Sequence, residues 1–197
     1  MLTGLAIGIV GGLVIGYFVG AAHLFESDVA VGMPTPAAVP AAPIAGALDQ
    51  LGSQQRINSA KAALEADPKN VQGWVALGND YFDLHQAQNA VDAYGKALAL
   101  SPNMPVAPDI LTDQGIMFRE LKEYDKAIAN FKQANKLNPK HLQSLFNLGV
   151  VYAQDKNDKA KAMEVWNSII ALSPTDPQAD LARKAIESLK GGAPAHP

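Results

Sequence analysis

The order of apolar and polar residues divides the chain into three stretches. Residues 1–25 contain no Lys, Arg, Asp or Glu, and apolar or small residues fill most of them. From about residue 54 to residue 190, apolar side chains instead recur every three or four positions, which is the spacing of amphipathic helices. Prolines and alanines dominate much of the chain between these stretches. The pattern predicts a membrane-spanning helix, a spacer and an all-α domain.

The first stretch has the length of a transmembrane helix. Its apolar run, residues 2–22, would extend roughly 32 Å as a helix, which matches the bilayer core of about 30 Å. A cleaved signal peptide is the alternative, with Gly20 and Ala22 as the small residues of a cleavage site. However, no basic residue precedes the run, and the run exceeds the roughly 7–15 apolar residues of a signal peptide. We therefore predict an uncleaved, single-pass anchor over residues 1–25.

Glycine recurs at every fourth position of this segment. Residues four apart lie on one face of a helix, so the glycines predict a groove without side chains along the segment. Small residues at this spacing favour close packing of two membrane helices. We expect this face to contact a partner helix or a second copy of the chain. The residues are Gly4, Gly8, Gly12, Gly16 and Gly20.

Residues 26–49 are the predicted linker. Within it, residues 33–47 read MPTPAAVPAAPIAGA, and proline interrupts helices and favours extended chain, so we expect a semi-rigid spacer. Glu26 and Asp28 follow the apolar segment, whereas the first basic residue is Arg56. Cytoplasmic flanks of membrane helices normally carry Lys or Arg. This favours the extracytoplasmic, periplasmic side for the domain that follows.

The helical part of the chain contains three copies of one residue pattern, at about 71–104, 108–141 and 142–176. Each copy has Gly and an aromatic residue in its first half, then Ala and an aromatic residue, and finally Pro. The second copy departs from the pattern at Gln114, and the third has an extra residue within 154–158. The positions are Trp74, Leu77, Gly78, Tyr81, Ala90, Tyr94, Ala97 and Pro102; Leu111, Gly115, Phe118, Ala127, Phe131, Ala134 and Pro139; and Leu145, Leu148, Gly149, Tyr152, Ala162, Trp166, Ile169 and Pro174.

Packing explains why these residue types recur. Glycine lowers helix propensity by about 1 kcal/mol, so a glycine in mid-helix indicates a close contact. We predict that each glycine faces the alanine of the second helix, with the aromatic residues filling the space between the helices. Proline cannot continue a helix and marks its end. The predicted pairs are Gly78 with Ala90, Gly115 with Ala127, and Gly149 with Ala162.

This pattern resembles the tetratricopeptide repeat (TPR) family, whose 34-residue helix pairs follow W-x₂-L-G-x₂-Y…A-x₃-F…P. The resemblance implies an all-α, TPR-type solenoid over residues 50–190. It would contain a partial repeat at 54–66, about three full repeats and a capping helix at 177–190, followed by a disordered tail at 191–197. The layout of anchor, spacer and repeats is similar to bacterial single-anchor TPR proteins, including the accessory TPR subunits of cytochrome c biogenesis.

The resemblance also implies where a ligand binds. TPR proteins usually bind peptides in a concave groove lined by the first helix of each repeat. In that groove, acidic residues outnumber the single Arg119, so a neutral or basic peptide is expected. The implied groove residues are Val75, Asn79, Phe82, Asp83, Thr112, Asp113, Ile116, Arg119, Phe146, Asn147 and Val150, with Gln72, Asp109, Glu120, Gln143 and Ala153 beside them.

A basic clamp for a terminal carboxylate, as in chaperone-binding TPR domains, is excluded by the residue types. None of the corresponding positions carries Lys or Arg, so a carboxylate would meet no cation there. Those positions are Val75, Asn79, Asp113, Gln143 and Asn147.

Composition removes several other classes of function. The net charge of −3 argues against nucleic-acid binding by bulk electrostatics, and the absence of cysteine removes disulfides, thiolate metal sites and thiol nucleophiles. His85 and His141 fall at predicted helix ends, where capping or solvation is expected. The acidic stretch 155–158 lacks the later Gly and Glu of a calcium loop. We therefore predict no enzyme activity, no metal and no cofactor.

These features together predict a membrane-anchored TPR adaptor or scaffold that holds a peptide segment of a client protein. By the resemblance, one role is cytochrome c maturation, in which apocytochrome is held for haem attachment, and another is assembly of envelope complexes. The alternative is a structural scaffold that self-assembles through the glycine face. The expected partners are a protein or peptide client, the membrane and, through the glycine face, a second copy or a partner helix, with no nucleic acid.

Overall fold

A computed structural model describes residues 42–191, with side chains from residue 52 onward. Within that part of the chain all regular structure is helical, and no helix there is both long and apolar enough to cross a bilayer. The glycine face, the predicted anchor and residues 192–197 lie outside the described residues. The helices are α1 (Ala42–Ala66), α2 (Val71–Asp83), α3 (Ala87–Leu100), α4 (Ala107–Glu120), α5 (Tyr124–Leu137), α6 (Leu142–Val150), α7 (Lys159–Leu172) and α8 (Pro177–Gly191).

The helices stack as a TPR-like solenoid, as the sequence predicted. α2 with α3, α4 with α5, and α6 with α7 form three antiparallel hairpins, and each hairpin packs against the next. α1 packs on α2 at one end, and α8 packs on α7 at the other. Each second helix ends two residues before its proline, at Leu100, Leu137 and Leu172. Two apolar clusters run through the stack, and Ile116 packs against both.

The contacts of the repeat glycines differ from the prediction. Each glycine lies against the aromatic ring of the second helix and not against its alanine. A Cβ at Gly115, for example, would lie only 2.7 Å from the Phe131 ring. The glycines therefore make room for large rings, and the alanines are buried separately in the core. The observed pairs are Gly78 with Tyr94, Gly115 with Phe131, and Gly149 with Trp166, in place of Ala90, Ala127 and Ala162.

The linker prediction extended too far along the chain. Residues 42–49 were assigned to the spacer, but α1 begins at Ala42 and continues to Ala66. Pro43 falls in the first turn, where its missing N–H costs nothing because that donor has no helical acceptor. The alanines and leucine that follow are strong helix formers. Because of the proline-rich composition of residues 33–47, the sequence did not predict that α1 begins at Ala42.

The extra residue of the third repeat is accommodated by a change of helix type. After α6 the backbone forms a π turn over Val151–Asp155, in which the Lys156 N–H donates to the Val151 carbonyl at 3.0 Å. A π turn absorbs one additional residue without ending the helix. Trp166 of α7 consequently keeps its contact with Gly149.

The departure at Gln114 is a buried polar contact. Gln114 is almost fully buried. Its Nε2 donates to the Val91 carbonyl at 2.9 Å, and its Oε1 accepts from Asn130 Nδ2 at 2.8 Å. The corresponding positions of the other repeats carry apolar pairs, Leu77 with Ala93 and Leu148 with Val165. The second repeat therefore replaces an apolar contact with a satisfied polar one.

The capping helix behaves as predicted. The Asp176 carboxylate accepts from the Gln178 N–H at 2.8 Å, as expected of an acidic residue at a helix N-terminus. On α8, Ala179, Ala182 and Ile186 are buried against the last hairpin. The opposite side of the helix carries the exposed charges of Asp180, Lys184 and Glu187 together with the exposed Leu181, so it is largely polar, as the outer face of a terminal repeat requires.

Candidate functional site

The first helices of the three hairpins share one exposed face, which we call the groove. α2 contacts α4, and α4 contacts α6, so the predicted ligand-binding positions fall on adjacent helices. Asn79 and Asp83 are exposed, and the other predicted positions are half-buried apart from Thr112. The half-buried residues are Val75, Phe82, Asp113, Ile116, Arg119, Phe146, Asn147 and Val150. Gln72, Asp109, Glu120 and Gln143 are exposed beside them, and Ala153 is half-buried.

Thr112 has a structural role. Its side chain is 0% exposed, and its hydroxyl donates to the Pro108 carbonyl at 2.8 Å within α4. A ligand in the groove would not reach it. Part of the Phe146 ring is also unavailable to a ligand, because it packs against Trp166 with a centroid separation of 5.9 Å. The ligand-accessible part of the groove is therefore smaller than the predicted set.

Two asparagines present amide groups in the groove with different free atoms. The Tyr94 hydroxyl donates to Asn79 Oδ1 at 2.9 Å, which leaves Asn79 Nδ2 as the available donor. Asn147 Nδ2 donates to the Gln143 carbonyl of its own helix at 3.1 Å, which leaves Asn147 Oδ1 as the available acceptor. A peptide backbone carries both a donor and an acceptor at each residue. The two side chains could therefore bind backbone groups of opposite kind.

Arg119, the groove's arginine, is held by the next repeat. Its Nε pairs with the Asp155 carboxylate of the π turn, and its second nitrogen donates to Gln154 Oε1 at 2.7 Å. Beside this contact lies a cavity of about 330 Å³ whose lining includes Ile116 and Asn147. Arg119 therefore joins the second and third repeats and adds little free positive charge to the groove.

The centre of the groove is electrostatically negative. Burial, together with the charges of Asp109 and Asp83, raises the pKa of Asp113 to about 6, while His141 acts in the opposite direction. Burial, followed by the charges of Asp113 and Asp83, raises the pKa of the Tyr94 hydroxyl well above its ordinary value. Carboxylates from α2 and α4 therefore repel one another at the centre of the groove, and no Lys or Arg contributes to these two pKa shifts.

Three residues that support the groove were not predicted to do so. The Tyr94 hydroxyl orients the Asn79 amide. Because a buried tyrosine hydroxyl requires a hydrogen-bond partner, the residue type at position 94 could have indicated such a contact. His141 was expected to cap a helix, and its Nδ1 accepts from the Ser144 N–H at 3.3 Å. Its Nε2 also lies 2.9 Å from Asp109, a contact between α4 and the N-cap residue of α6 that sequence spacing could not reveal. Asp155, from the acidic stretch that lacks the residues of a calcium loop, pairs with Arg119.

The stacked hairpins and the exposed face of their first helices define a tetratricopeptide repeat protein. Residues 57–180 match the family described as the cytochrome c-type biogenesis protein H TPR domain. This match covers more than half of the chain, and the chain belongs to that family.

Individual relatives agree with this assignment. The chain is 28% identical over 130 residues to the cytochrome c-type biogenesis protein CycH of Pseudomonas aeruginosa, an alignment that covers 64% of this chain and 30% of that protein. It is 27% identical over 116 residues to the small glutamine-rich tetratricopeptide repeat-containing protein 2 of Mycosarcoma maydis, which covers 58% of this chain and 31% of the relative. The chain thus spans about a third of the length of each of these relatives.

A solved structure shares the fold. The crystal structure of MamA superposes with a TM-score of 0.57 at 25% identity, covering 68% of this chain and 81% of that one. The family, the CycH relative and this structural likeness together support a protein-interaction adaptor related to cytochrome c biogenesis.

Proposed function

We propose that this protein is a non-catalytic, membrane-anchored adaptor that holds a segment of a client protein in the groove. The observation that carries the proposal is the pair of asparagines, Asn79 and Asn147, which present a free donor and a free acceptor among half-buried apolar side chains. Such a surface can bind an extended segment, whose backbone N–H and C=O groups are free to pair with the two amides, while its apolar side chains lie against the half-buried residues.

The family suggests the process in which such an adaptor acts. Membership of the cytochrome c-type biogenesis protein H TPR domain family supports a role in cytochrome c maturation, with apocytochrome as the client, and assembly of another envelope complex would use the same groove. The apolar segment at residues 2–22 supports a single-pass anchor that keeps the groove near a membrane complex and raises the client's effective concentration. A topology reporter fused after Pro197 tests the extracytoplasmic location proposed for the repeats.

Groove substitutions test the proposal directly. Asn79→Ala removes the free donor, and Ile116→Glu introduces a charge at the junction of the three hairpins. In full-length protein recovered from its own membranes, we expect both variants to lose the client that wild-type protein retains, as measured by quantitative mass spectrometry.

Glu164→Gln is the matched control, because Glu164 is exposed on α7 and lies outside the groove. Thermal unfolding followed by circular dichroism identifies any variant that fails to fold. Retention of the client by both folded groove variants would contradict the proposal.

A further inference from the structure

The groove carries more negative than positive charge, and most of its carboxylates are exposed to a client. Asp83, Asp109 and Glu120 are exposed and Asp113 is half-buried. The partners of two of these carboxylates are imidazoles: His141 lies 2.9 Å from Asp109, and His85 lies 3.1 Å from Glu120. Imidazoles carry a full charge only when protonated.

The strong cation of the groove is already paired. Arg119 contacts Asp155 and Gln154 of the third repeat, and Lys122 lines the cavity beside Glu120. Neither acts on the carboxylates at the centre of the groove, Asp83, Asp109 and Asp113, as far as the described residues show. The N-terminal part of the chain does not contain a substitute, because residues 1–55 include no Lys or Arg. Charge complementarity across an interface favours a partner of opposite sign. A positive group supplied by another protein is therefore the missing complement.

Resting on the function proposed above, we infer that the client segment is cationic and amphipathic, with Lys or Arg side chains that meet Asp83, Asp109 and Asp113. Its apolar side chains lie against the half-buried surface of Phe82 and Ile116. Asn79 Nδ2, whose orientation is fixed by the Tyr94 hydroxyl, donates to a backbone carbonyl of the segment. The first and second repeats thus select the charge of the client.

The electrostatics of Asp113 agree with this assignment. The pKa of Asp113 responds to the charges of Asp83 from α2, Asp109 from its own helix, and His141 at the start of α6. The pKa of the Tyr94 hydroxyl on α3 responds to Asp113 and Asp83 as well. A bound cation would relieve the repulsion between the carboxylates. Binding should therefore weaken as the pH falls through about 6 and Asp113 takes up a proton.

A pair of designed peptides tests the inference. One peptide alternates leucine with lysine, so that in an extended chain the two residue types lie on opposite sides, and its counterpart has glutamate in place of every lysine. Binding to the full-length chain is measured by fluorescence anisotropy in about 0.1 M salt, where the Debye length is about 10 Å. We expect the lysine peptide to bind at least tenfold more tightly than the glutamate peptide.

Two double variants with the same change in net charge locate the effect. Asp83→Asn with Asp113→Asn should weaken the lysine peptide about tenfold, because paired charges at an interface contribute strongly to affinity. Asp92→Asn with Glu187→Gln removes two exposed carboxylates outside the groove, from α3 and α8, and should leave the affinity unchanged. The single variant Asp113→Asn should reduce the loss of affinity between about pH 7.5 and pH 5.5 that wild-type protein shows.

Each alternative result has a defined meaning. If both peptides bind equally well and Ile116→Glu weakens both, the groove binds clients without regard to charge, so this inference is overturned while the proposed function stands. If Ile116→Glu weakens neither peptide, both proposals are overturned. An equal loss of affinity in the two double variants would indicate nonspecific attraction and overturn the inference. So would a dimer of the chain alone that Asp113→Asn dissociates in sedimentation equilibrium, because the occupant would then be a second copy.

Discussion

At the scale of single residues, the repeat glycines are matched to the aromatic rings that they face. Ordinarily, replacing a mid-helix glycine with alanine raises helix propensity by about 1 kcal/mol. At Gly149 the added methyl group would overlap the Trp166 indole. That ring is 3% exposed, and its Nε1 donates to the Phe146 carbonyl at 3.1 Å, so it cannot move freely.

We therefore expect Gly149→Ala to lower the free energy of unfolding by about 1–3 kcal/mol, the usual cost of overpacking a core. Gly95→Ala on α3 is the matched control, because its Cβ would meet only Gln114 Nε2 at 3.5 Å. That variant should be neutral or more stable. Chemical denaturation measures both, and a Gly149→Ala protein as stable as Gly95→Ala would contradict the assigned contact.

Asp113 gives the fold a pH dependence of defined sign. Its pKa is raised from its ordinary value to about 6 in the folded protein, so between the two values the native state binds more protons than the unfolded state. Stability therefore falls as the pH rises through that interval. Asp113→Asn should be more stable than wild type at about pH 7.5, and the difference should shrink towards about pH 4. Thermal unfolding across this range tests the prediction, and a difference that grows on acidification would contradict it.

The residues of the groove were partly predictable. The repeat register placed Asn79, Ile116 and Asn147 on the first helices, and the structure brings those helices together. The register did not reveal that Thr112 is buried, with its hydroxyl donating to the Pro108 carbonyl one turn earlier in α4. Nor did it identify the aromatic ring as the glycine's neighbour, because sequence spacing does not fix how large side chains cross between two helices.

At the scale of helices, the second hairpin contains a polar contact between Gln114 of α4 and Asn130 of α5. We expect that both side chains can be replaced together by apolar ones with little loss of stability. Gln114→Leu alone would remove the acceptor of the half-buried Asn130 Nδ2 and should lower the free energy of unfolding by about 0.5–1.5 kcal/mol, the net contribution of a typical hydrogen bond. Adding Asn130→Ala creates the Leu and Ala pair found at Leu77 and Ala93.

The double variant should therefore recover most of the lost stability, because replacing both partners by apolar groups is often nearly neutral. A double-mutant cycle in urea measures the coupling. Strictly additive losses would show that the two side chains are not energetically linked, against the geometry described.

Helix boundaries show where sequence reasoning succeeds and where it fails. The prolines at the ends of second helices were informative, since each helix stops two residues earlier. Pro43 was misleading, because proline is also compatible with the first turn of a helix, and α1 begins at Ala42. The extra residue of the third repeat was located correctly to within a few positions. The sequence could not show that a π turn over Val151–Asp155 accommodates this residue, because the π turn depends on the tertiary contact between Trp166 and Gly149.

At the scale of the whole molecule, the glycine face remains a prediction about residues 1–25. If that segment associates through its small residues, Gly8→Ile with Gly12→Ile and Gly16→Ile should abolish association in membranes, as measured by in-membrane crosslinking. Val10→Ile with Val14→Ile changes residues two positions from a glycine, which would lie on the opposite side of such a helix, and should leave association unchanged. Association unaltered by the three glycine changes would remove the self-assembling scaffold as an explanation.

The central claim is that the groove, and not the outer surface of the solenoid, holds a client polypeptide. A photo-crosslinking residue placed at Asn79 or Asn147 in cells tests it most directly, with Asp92 and Glu164 on the second helices as control positions. The account predicts that the two groove positions crosslink to the same client peptides, identified by mass spectrometry, and that the control positions do not. Crosslinks to those peptides of equal yield from Asp92 or Glu164, or none from the groove, would contradict it.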